Sequence, residues 1–296
     1  MPGKITLEFP DGTKKEFPNG TTSQQVADSI GPRLAKEALS AKLGERVIEL
    51  EMPIEEGGKF RILTWNDEEG KKSLWHTGAH VLAQAVTSMY EGAKNTIGPP
   101  LEEGFYQDFF VEKPFTPEDL GKIEKKMMEI IGEKNDIVRE VVDKKRALEE
   151  FGWNRFKQEL VEEFAGQGKT ITLYRQGKFT DLCKGGHVSD TGKLAAAKLL
   201  KVSSAYWRGD SKRESLQRIY GIAFPKASML EEYLKQKDEA EKRSHMRLGK
   251  ELDLFSVQHE APGTIFFHHN GTVIWNELVK FARQEQALRV YLEVNT

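Results

Sequence analysis

At 296 residues the chain is longer than one small core requires, so two or three domains are expected. With 38% apolar and 30% charged residues, and no apolar run near the roughly 20 residues of a membrane-spanning helix, it reads as a globular chain with no membrane partner. A net charge of −2, from 44 basic and 46 acidic residues, sets up no overall field and neither indicates nor excludes nucleic acid.

Ile5, Leu7 and Phe9 alternate, Pro10-Asp11-Gly12-Thr13 offers a turn, and Lys15 to Phe17 runs extended, which predicts a hairpin. Thr21, Thr22 and Ser23 are candidate N-caps for a helix with Val26, Ala27 and Ile30 on one face. Further strands are expected over Ala38–Leu43, Arg46–Leu50 and Phe60–Thr64, punctuated by Gly12, Gly20, Gly57 and Gly58. The set predicts a small α+β unit of β-grasp type with no catalytic constellation, an interaction or spacer module. The polar stretch Trp65–Gly70 is a predicted boundary. Ser73 is the expected cap of a helix that carries His76 and His80 and continues through Val81, Leu82, Ala85, Val86 and Met89 towards Gly98-Pro99-Pro100. A strand is expected over Gly104–Phe110, then an amphipathic helix from Pro117 to Asn135 with Ile123, Met127, Ile130 and Ile131 inward. Next come a strand over Ile137–Val142, a helix from Lys144 to Phe164 and a strand over Ile171–Tyr174. Aromatic-rich stretches at Ala195–Val202, Ala205–Asp210 and Leu216–Phe224 are expected to close a mainly antiparallel sheet. Ser228 would cap a charged helix, Met229 to about Leu248, read as a solvent-exposed linker. Leu252–Phe255, Gly263–Phe267 and Asn276–Arg283 begin another unit.

The chemistry-bearing residues come as two pairs. His76 and His80 stand four apart, so on a helix their imidazoles share one face. Cys183 and His187 have the same spacing, with Asp181 before them and Gly185-Gly186 between. Cys183 is the only cysteine, which rules out an internal disulfide framework and agrees with a reducing cytosol. Met1-Pro2-Gly3-Lys4 leads directly into strand-like alternation, so no signal or transit peptide is expected and the expected location is cytoplasmic. If the fold joins the pairs, the site is His/His/Cys/His. Imidazole and thiolate suit zinc, which lowers the pKa of a bound water towards ~7. Without metal, neutral histidines can take a proton from water while carboxylates or a lysine orient it. A Cys/His nucleophile pair is the competing chemistry. Thr77, Gly78 and Ala79 stand between the first two histidines, so the metalloprotease helix motif, which needs a Glu there, is absent. His245, His259, His268 and His269 have no such partners and read as structural or surface groups.

At these residues the chain resembles the N-terminal part of bacterial-type threonyl-tRNA synthetases. Trp75-His76-Thr77-Gly78-Ala79-His80 is similar to that family's His-x-x-x-His signature and Asp181-Leu182-Cys183-Lys184-Gly185-Gly186-His187 to its Cys-x-x-x-His counterpart. Gly98-Pro99 with Gly104-Phe105-Tyr106, Ala205–Asp210 and Leu216–Gly221 are family-like as well, and the resemblance runs over essentially the whole chain. It implies a TGS-type β-grasp domain over 1–64, an α+β editing domain over 65–226, a linker helix over 227–250 and the start of a class II catalytic domain over 251–296. The ATP-binding and threonine-binding motifs and the catalytic zinc site would belong to a missing part, as would the contacts of a homodimer. The chain itself is then expected not to make threonyl-tRNA, which threonine-dependent pyrophosphate exchange would contradict.

The resemblance further implies hydrolysis of the ester joining serine to the 3′ end of tRNA(Thr). His76, His80, Cys183 and His187 would line the pocket, one histidine helping to activate water. Asp181 would bind the seryl amino group or orient a histidine, and Lys157 would position water or stabilise the oxyanion. Tyr106, Gln107, Gly185 and Arg208 are candidate substrate-binding residues. Two positions depart from the family pattern: Gln107 stands where a second tyrosine is usual, and Gly186 replaces a common proline. The ligand set suits zinc, yet the family's editing site is often described as metal-independent, and both readings stay open. Arg208, Lys212, Arg213 and Arg218 beside Tyr206 and Trp207 are candidates for holding a single-stranded RNA end, or are core aromatics with solvated cations. The alternative functions are a non-catalytic tRNA-binding or regulatory fragment and a zinc hydrolase of another substrate.

Overall fold

The computed structural model describes residues 3–292 and Val294. It divides into two compact units, Met1–Leu230 and Glu231–Thr296.

The first unit opens with β1 (Lys4–Glu8) and β2 (Lys14–Pro18), followed by α1 (Ser23–Ile30) and α2 (Pro32–Glu37), and then β3 (Ser40–Leu43), β4 (Arg46–Ile48) and β5 (Gly58–Leu63). The five strands form one mixed sheet, ordered β2-β1-β5-β3-β4, with β1 and β5 parallel. Thr22 closes a capping box with Gln25 at the start of α1, which turns Val26 and Ala27 into the core beside Leu7, Leu50 and Phe60. This is the β-grasp arrangement expected from the alternation. The short α2, which starts with Pro32, was not foreseen.

α3 (Glu68–Met89) begins earlier than Ser73 and ends well before Gly98. Glu68 and Glu69 complement the positive end of its dipole. Gly70, inside the first turns, packs so closely on the Thr64 carbonyl that a side chain would overlap it. Ser73 is no cap; it is buried, and its hydroxyl lies 3.1 Å from Ser40 Oγ in β3. The helix is buried on almost every face from Ser73 to Val86. It packs on the antiparallel sheet β11-β12-β7-β6, made from β6 (Lys94–Asn95), β7 (Phe105–Phe110), β11 (Ala196–Tyr206) and β12 (Ser215–Phe224). Trp75 Nε1 donates to the Ala223 carbonyl at 3.0 Å, and the Phe105 ring sits between Gly78 and Gly221.

α4 (Pro117–Glu133) starts where Thr116 and Asp119 form a capping box, and buries Ile123, Met127, Ile130 and Ile131 as expected. A second antiparallel sheet, β10-β9-β8, comprises β8 (Ile137–Val142), β9 (Ile171–Gln176) and β10 (Phe179–Leu182). The helix expected over Lys144–Phe164 is two, α5 (Lys144–Glu150) and α6 (Arg155–Gly166). The chain breaks because the Asn154 side chain caps the N–H groups of Phe156 and Lys157 instead of continuing the first helix. Phe151, Val161, Leu173 and Leu182 form the core beneath this pair.

α7 (Ala227–Lys242) starts before Ser228 and stops at Lys242, so the expected single linker helix to residue 250 is interrupted. The second unit continues with α8 (His245–Glu251), the paired strands β13 (Phe255–Val257) and β14 (Ile265–Phe267), and α9 (His269–Leu288). No helix among the described residues is long and apolar enough to cross a membrane.

Candidate active site

α3 presents His76 and His80 one turn apart, their ring centroids 5.3 Å from each other. The segment after β10 brings the second pair to them. Cys183 Sγ lies 3.4 Å from His76 Nε2 and 3.2 Å from His187 Nε2. The His187 ring stacks on His76 at 4.2 Å and meets His80 edge-on at 4.2 Å. The four residues expected to assemble therefore do so, with one ligand-type atom from each within 4.8 Å of the others. A cleft of about 430 Å³ opens over them, floored by His76, His80, Cys183, Lys157 and Asp181 and walled by Thr96–Pro99, Gln107, Leu160, Phe164 and Arg208.

Lys157 and Asp181 form a buried ion pair, Nζ to Oδ1 at 2.6 Å. Asp181 Oδ1 also accepts from the Leu182 N–H at 2.9 Å, and Oδ2 accepts from Asn95 Nδ2 at 3.0 Å. A carboxylate offers about four acceptor positions. Three are filled by these described residues, and the remaining side of Oδ2 faces His80 Nε2 at 3.8 Å. Asn154, which breaks the α5–α6 helix, also holds the Asn95 carbonyl at 2.8 Å. The same residue thus sets the start of α6, and so Lys157, and the strand that carries Asn95.

The hydrogen-bond partners assign one set of tautomers. The Thr77 hydroxyl donates to the Ser73 carbonyl at 3.0 Å and accepts from the Val188 N–H at 3.2 Å. Its remaining lone pair faces His187 Nδ1 at 3.3 Å, so that nitrogen carries the proton. His187 Nε2 is then an acceptor for the Cys183 thiol, which itself accepts from the Gly185 N–H at 3.4 Å. With the thiol proton spent on His187, and the His76 ring held by backbone hydrogen bonds at Gly185 and Gly186, the His76 Nε2 lone pair is left uncommitted. His76 is also the one member of the four that is only partly buried.

Burial governs the charge states. It lowers the pKa of His76 to about 4 and drops His80 and His187 well below their ordinary value, the neighbouring imidazoles and Lys157 adding to the effect. It pushes the Cys183 thiol up to about 12. Asp181 is raised by burial, against the pull of Lys157 and its hydrogen bonds. At neutral pH the cluster holds neutral imidazoles and a thiol. A thiolate–imidazolium pair, which a nucleophilic cysteine needs, is not what this environment favours.

The donor set, three imidazoles and one sulfur, fits zinc by type. His76, His80, Cys183 and His187 are the residues that would hold the ion, their donor atoms within 4.8 Å of one another. Four protein ligands would also close the shell.

The other expected site residues separate into two groups. Gln107 is buried and faces the cleft, with Gly98 packed against its amide. Tyr106, next to it on β7, points to the opposite side of the strand, as the two-residue period requires, and lies 3.7 Å under the Arg218 guanidinium. It does not reach the cleft. Gly185 stands behind Cys183 rather than on the cleft wall, its φ of +105° allowing the backbone to pass close to Tyr174. Arg208 lines the cleft but is paired with Glu159 at 2.8 Å and Glu163 at 2.5 Å. Arg213 is bidentate to Glu159 and Arg218 to Asp108, while Trp207 is buried beside Phe156. Of the four cations read either as holders of an RNA end or as solvated groups, Arg208, Arg213 and Arg218 are thus paired with carboxylates and Lys212 is exposed, and of the two aromatics only Tyr206 is exposed. Sequence reasoning missed Thr77, Asn95, Asn154 and Tyr174. Thr77 sits inside the histidine motif and could have been read; the others have no local pattern.

Residues 4–64 match the model of the TGS domain, and residues 171–220 match that of the threonyl and alanyl tRNA synthetase second additional domain. The latter span includes Asp181, Cys183 and His187. The chain is 49% identical over 294 residues to a threonine–tRNA ligase of Caldanaerobacter subterraneus subsp. tengcongensis, covering 99% of this chain and 45% of the relative. It is 47% identical to the ligase of Carboxydothermus hydrogenoformans, covering 99% and 46%, and 44% identical to that of Protochlamydia amoebophila, covering 98% and 44%. The chain is an N-terminal region of the threonyl-tRNA synthetase family. It spans less than half the length of these relatives. Within the family the cleft belongs to the part that carries the second additional domain, which is associated with editing.

Proposed function

We propose that this chain performs post-transfer editing, hydrolysing the ester between serine and the 3′-terminal ribose of tRNA(Thr), in the cytoplasm. The observation that carries the reading is His76, the partly buried member of the cluster, beside the buried Lys157–Asp181 pair in one cleft. Asp181 Oδ2 receives the seryl ammonium on the side that faces His80. Lys157 stands beside the scissile carbonyl, where its charge stabilises the oxyanion as it forms. Water attacks that carbonyl and gives its proton to His76, neutral at pH 7 and so able to accept it. The carbon–oxygen bond to the ribose breaks, and the ribose oxygen leaves with the proton that His76 took from water, which restores the neutral imidazole.

Selection of serine has a physical motive. One methyl separates threonine from serine, worth only about 1–3 kcal/mol in a binding pocket, so a second site is needed to reject the smaller amino acid once it has been attached. Here the wall of Gln107 and Gly98 is packed without slack, and the threonine methyl would meet it. A zinc ion, if held, would take His76, His80, Cys183 and His187 as ligands, and zinc polarises carbonyls and acidifies water. With all four engaged it would leave no place for water, so the hydrolytic roles are assigned to the residues themselves. A purely RNA-binding role is less favoured, because Arg208, Arg213 and Arg218 are spent on Glu159, Glu163 and Asp108. The deciding experiment compares hydrolysis of Ser-tRNA(Thr) with Thr-tRNA(Thr): the seryl ester should be cleaved at least about tenfold faster. Equal rates would rule out proofreading.

A further inference from the structure

The β-grasp part of the first unit reaches the candidate active site through one side chain. Glu49 follows β4, and its Oε1 accepts from the Gly186 N–H at 2.9 Å and the His187 N–H at 3.2 Å. Tyr174, whose ring lies 4.7 Å from that of His187, hydrogen-bonds the same carboxylate. The approach needs glycine. A Cβ on Gly185 would stand 2.5 Å from the Tyr174 hydroxyl and 3.1 Å from Glu49 Oε1. Residues 183–188 belong to no strand or helix; Cys183 still donates its N–H to the Thr172 carbonyl of β9 at 3.2 Å, whereas the N–H groups of Gly186 and His187 go to Glu49. A carboxylate accepting two successive N–H groups is a strong, charge-assisted contact. The seam around it is fixed elsewhere too: Ser73 meets Ser40, and Lys193 Nζ donates to the Ala38 carbonyl at 3.0 Å and the Lys36 carbonyl at 3.2 Å.

We propose that Glu49 is a positioning residue of the editing site. From the β-grasp side it holds the Gly185–His187 segment, so that the Cys183 thiol stays on His187 Nε2 and the His76 lone pair stays available to water. The β-grasp part is then a component of the hydrolytic site as well as a neighbouring module. This rests on the hydrolytic reading above.

The test compares Glu49→Ala with Glu49→Gln in the whole chain. Glutamine keeps a carbonyl oxygen for the two N–H groups, whereas alanine removes it. The alanine variant should lose about 10- to 100-fold in kcat on Ser-tRNA(Thr), the usual cost of losing an outer support of a site, with KM unchanged. The glutamine variant should recover to within about threefold of the parent. Hydrogen exchange of the Gly186 and His187 amides should speed up in the alanine variant, while the amides of β1, β3 and β5 keep parent rates. Parent kcat in the alanine variant would overturn the proposal, as would unchanged exchange at those two amides, or a glutamine variant as slow as alanine. If the parent chain cleaves no seryl ester, the editing reading fails on its own, and the exchange measurement still decides whether Glu49 holds the segment.

Discussion

His76 differs from the other two imidazoles in being only partly buried, and that difference has consequences. His76→Ala should lower kcat for Ser-tRNA(Thr) hydrolysis by about 10²- to 10⁴-fold, the usual worth of a positioned base. With its pKa near 4, the rate should be flat from pH 5.5 to 8 and show no step at the ordinary histidine value. A sigmoid centred near 6.5 in the pH–rate profile would transfer the base role to another group. Cys183 plays the opposite part. Its thiol is a buried donor to His187, so Cys183→Ala should cost about 1–3 kcal/mol of stability, measured by urea unfolding, for the acceptor left unpaired. The variant should still turn over, and trapping of a seryl-cysteine intermediate would instead establish the nucleophile. Zinc should slow the reaction by occupying His76, and a chelator should leave it unchanged. Activity lost on chelation and restored by zinc would reverse the roles assigned here.

Elements decide how these side chains meet. Four of the expected site residues, His76, His80, Cys183 and His187, were legible because each pair carries its spacing in the local chain. Their junction was expected from the family resemblance and not from the spacing alone, since nothing in the spacing tells a helix which loop it will face. Tyr106 and Gln107 show the limit: a strand with both faces covered gives no polar–apolar alternation, so only the structure decides which of two neighbours looks into the cleft. The helix break at Asn154 was missed for a related reason. Asparagine at a cap looks like any helix-surface asparagine until its partner, Asn95, is in place. Elements also set what substitution they tolerate. A Cβ on Gly78 would stand 2.6 Å from the Phe105 ring, so Gly78→Ala should destabilise the protein by about 1–3 kcal/mol through overpacking, and a raised melting temperature would contradict this. Gly186 has a φ of +89° and donates its N–H to Glu49. Proline there would fit neither role, so Gly186→Pro should reduce hydrolysis rather than tighten the turn.

Across the whole molecule the buried groups shape the response to pH. The unfolded chain binds protons on His76, His80 and His187 below about 6.5, whereas burial holds the folded chain off until about pH 4 at His76 and keeps the other two well below their ordinary value. Stability is therefore complete above pH 6.5 and falls as pH drops below it. Asp181, whose carboxyl is raised, works against this at the acid end. Above pH 9 the unfolded thiol ionises while the folded Cys183 holds its proton to about 12, so stability falls again. Melting temperatures should form a plateau between about pH 6.5 and 9, and a maximum near pH 5 would contradict the burial argument. The strands of the β-grasp unit were legible in alternation and turns, but their order in the sheet was not, since β1 pairs with the distant β5, and neither was the closeness of this unit to the loop after β10, because Glu49 and Gly186 lie far apart in the chain. One consequence follows from Cys183 being the only cysteine. A thiol reagent can modify the folded protein at a single atom, which is nine-tenths hidden at the floor of the cleft, so labelling is slow until the loop after β10 swings away from α3. The labelling half-life is thus a clock for that opening, ticking without substrate or tRNA, and reading the breathing of the site directly.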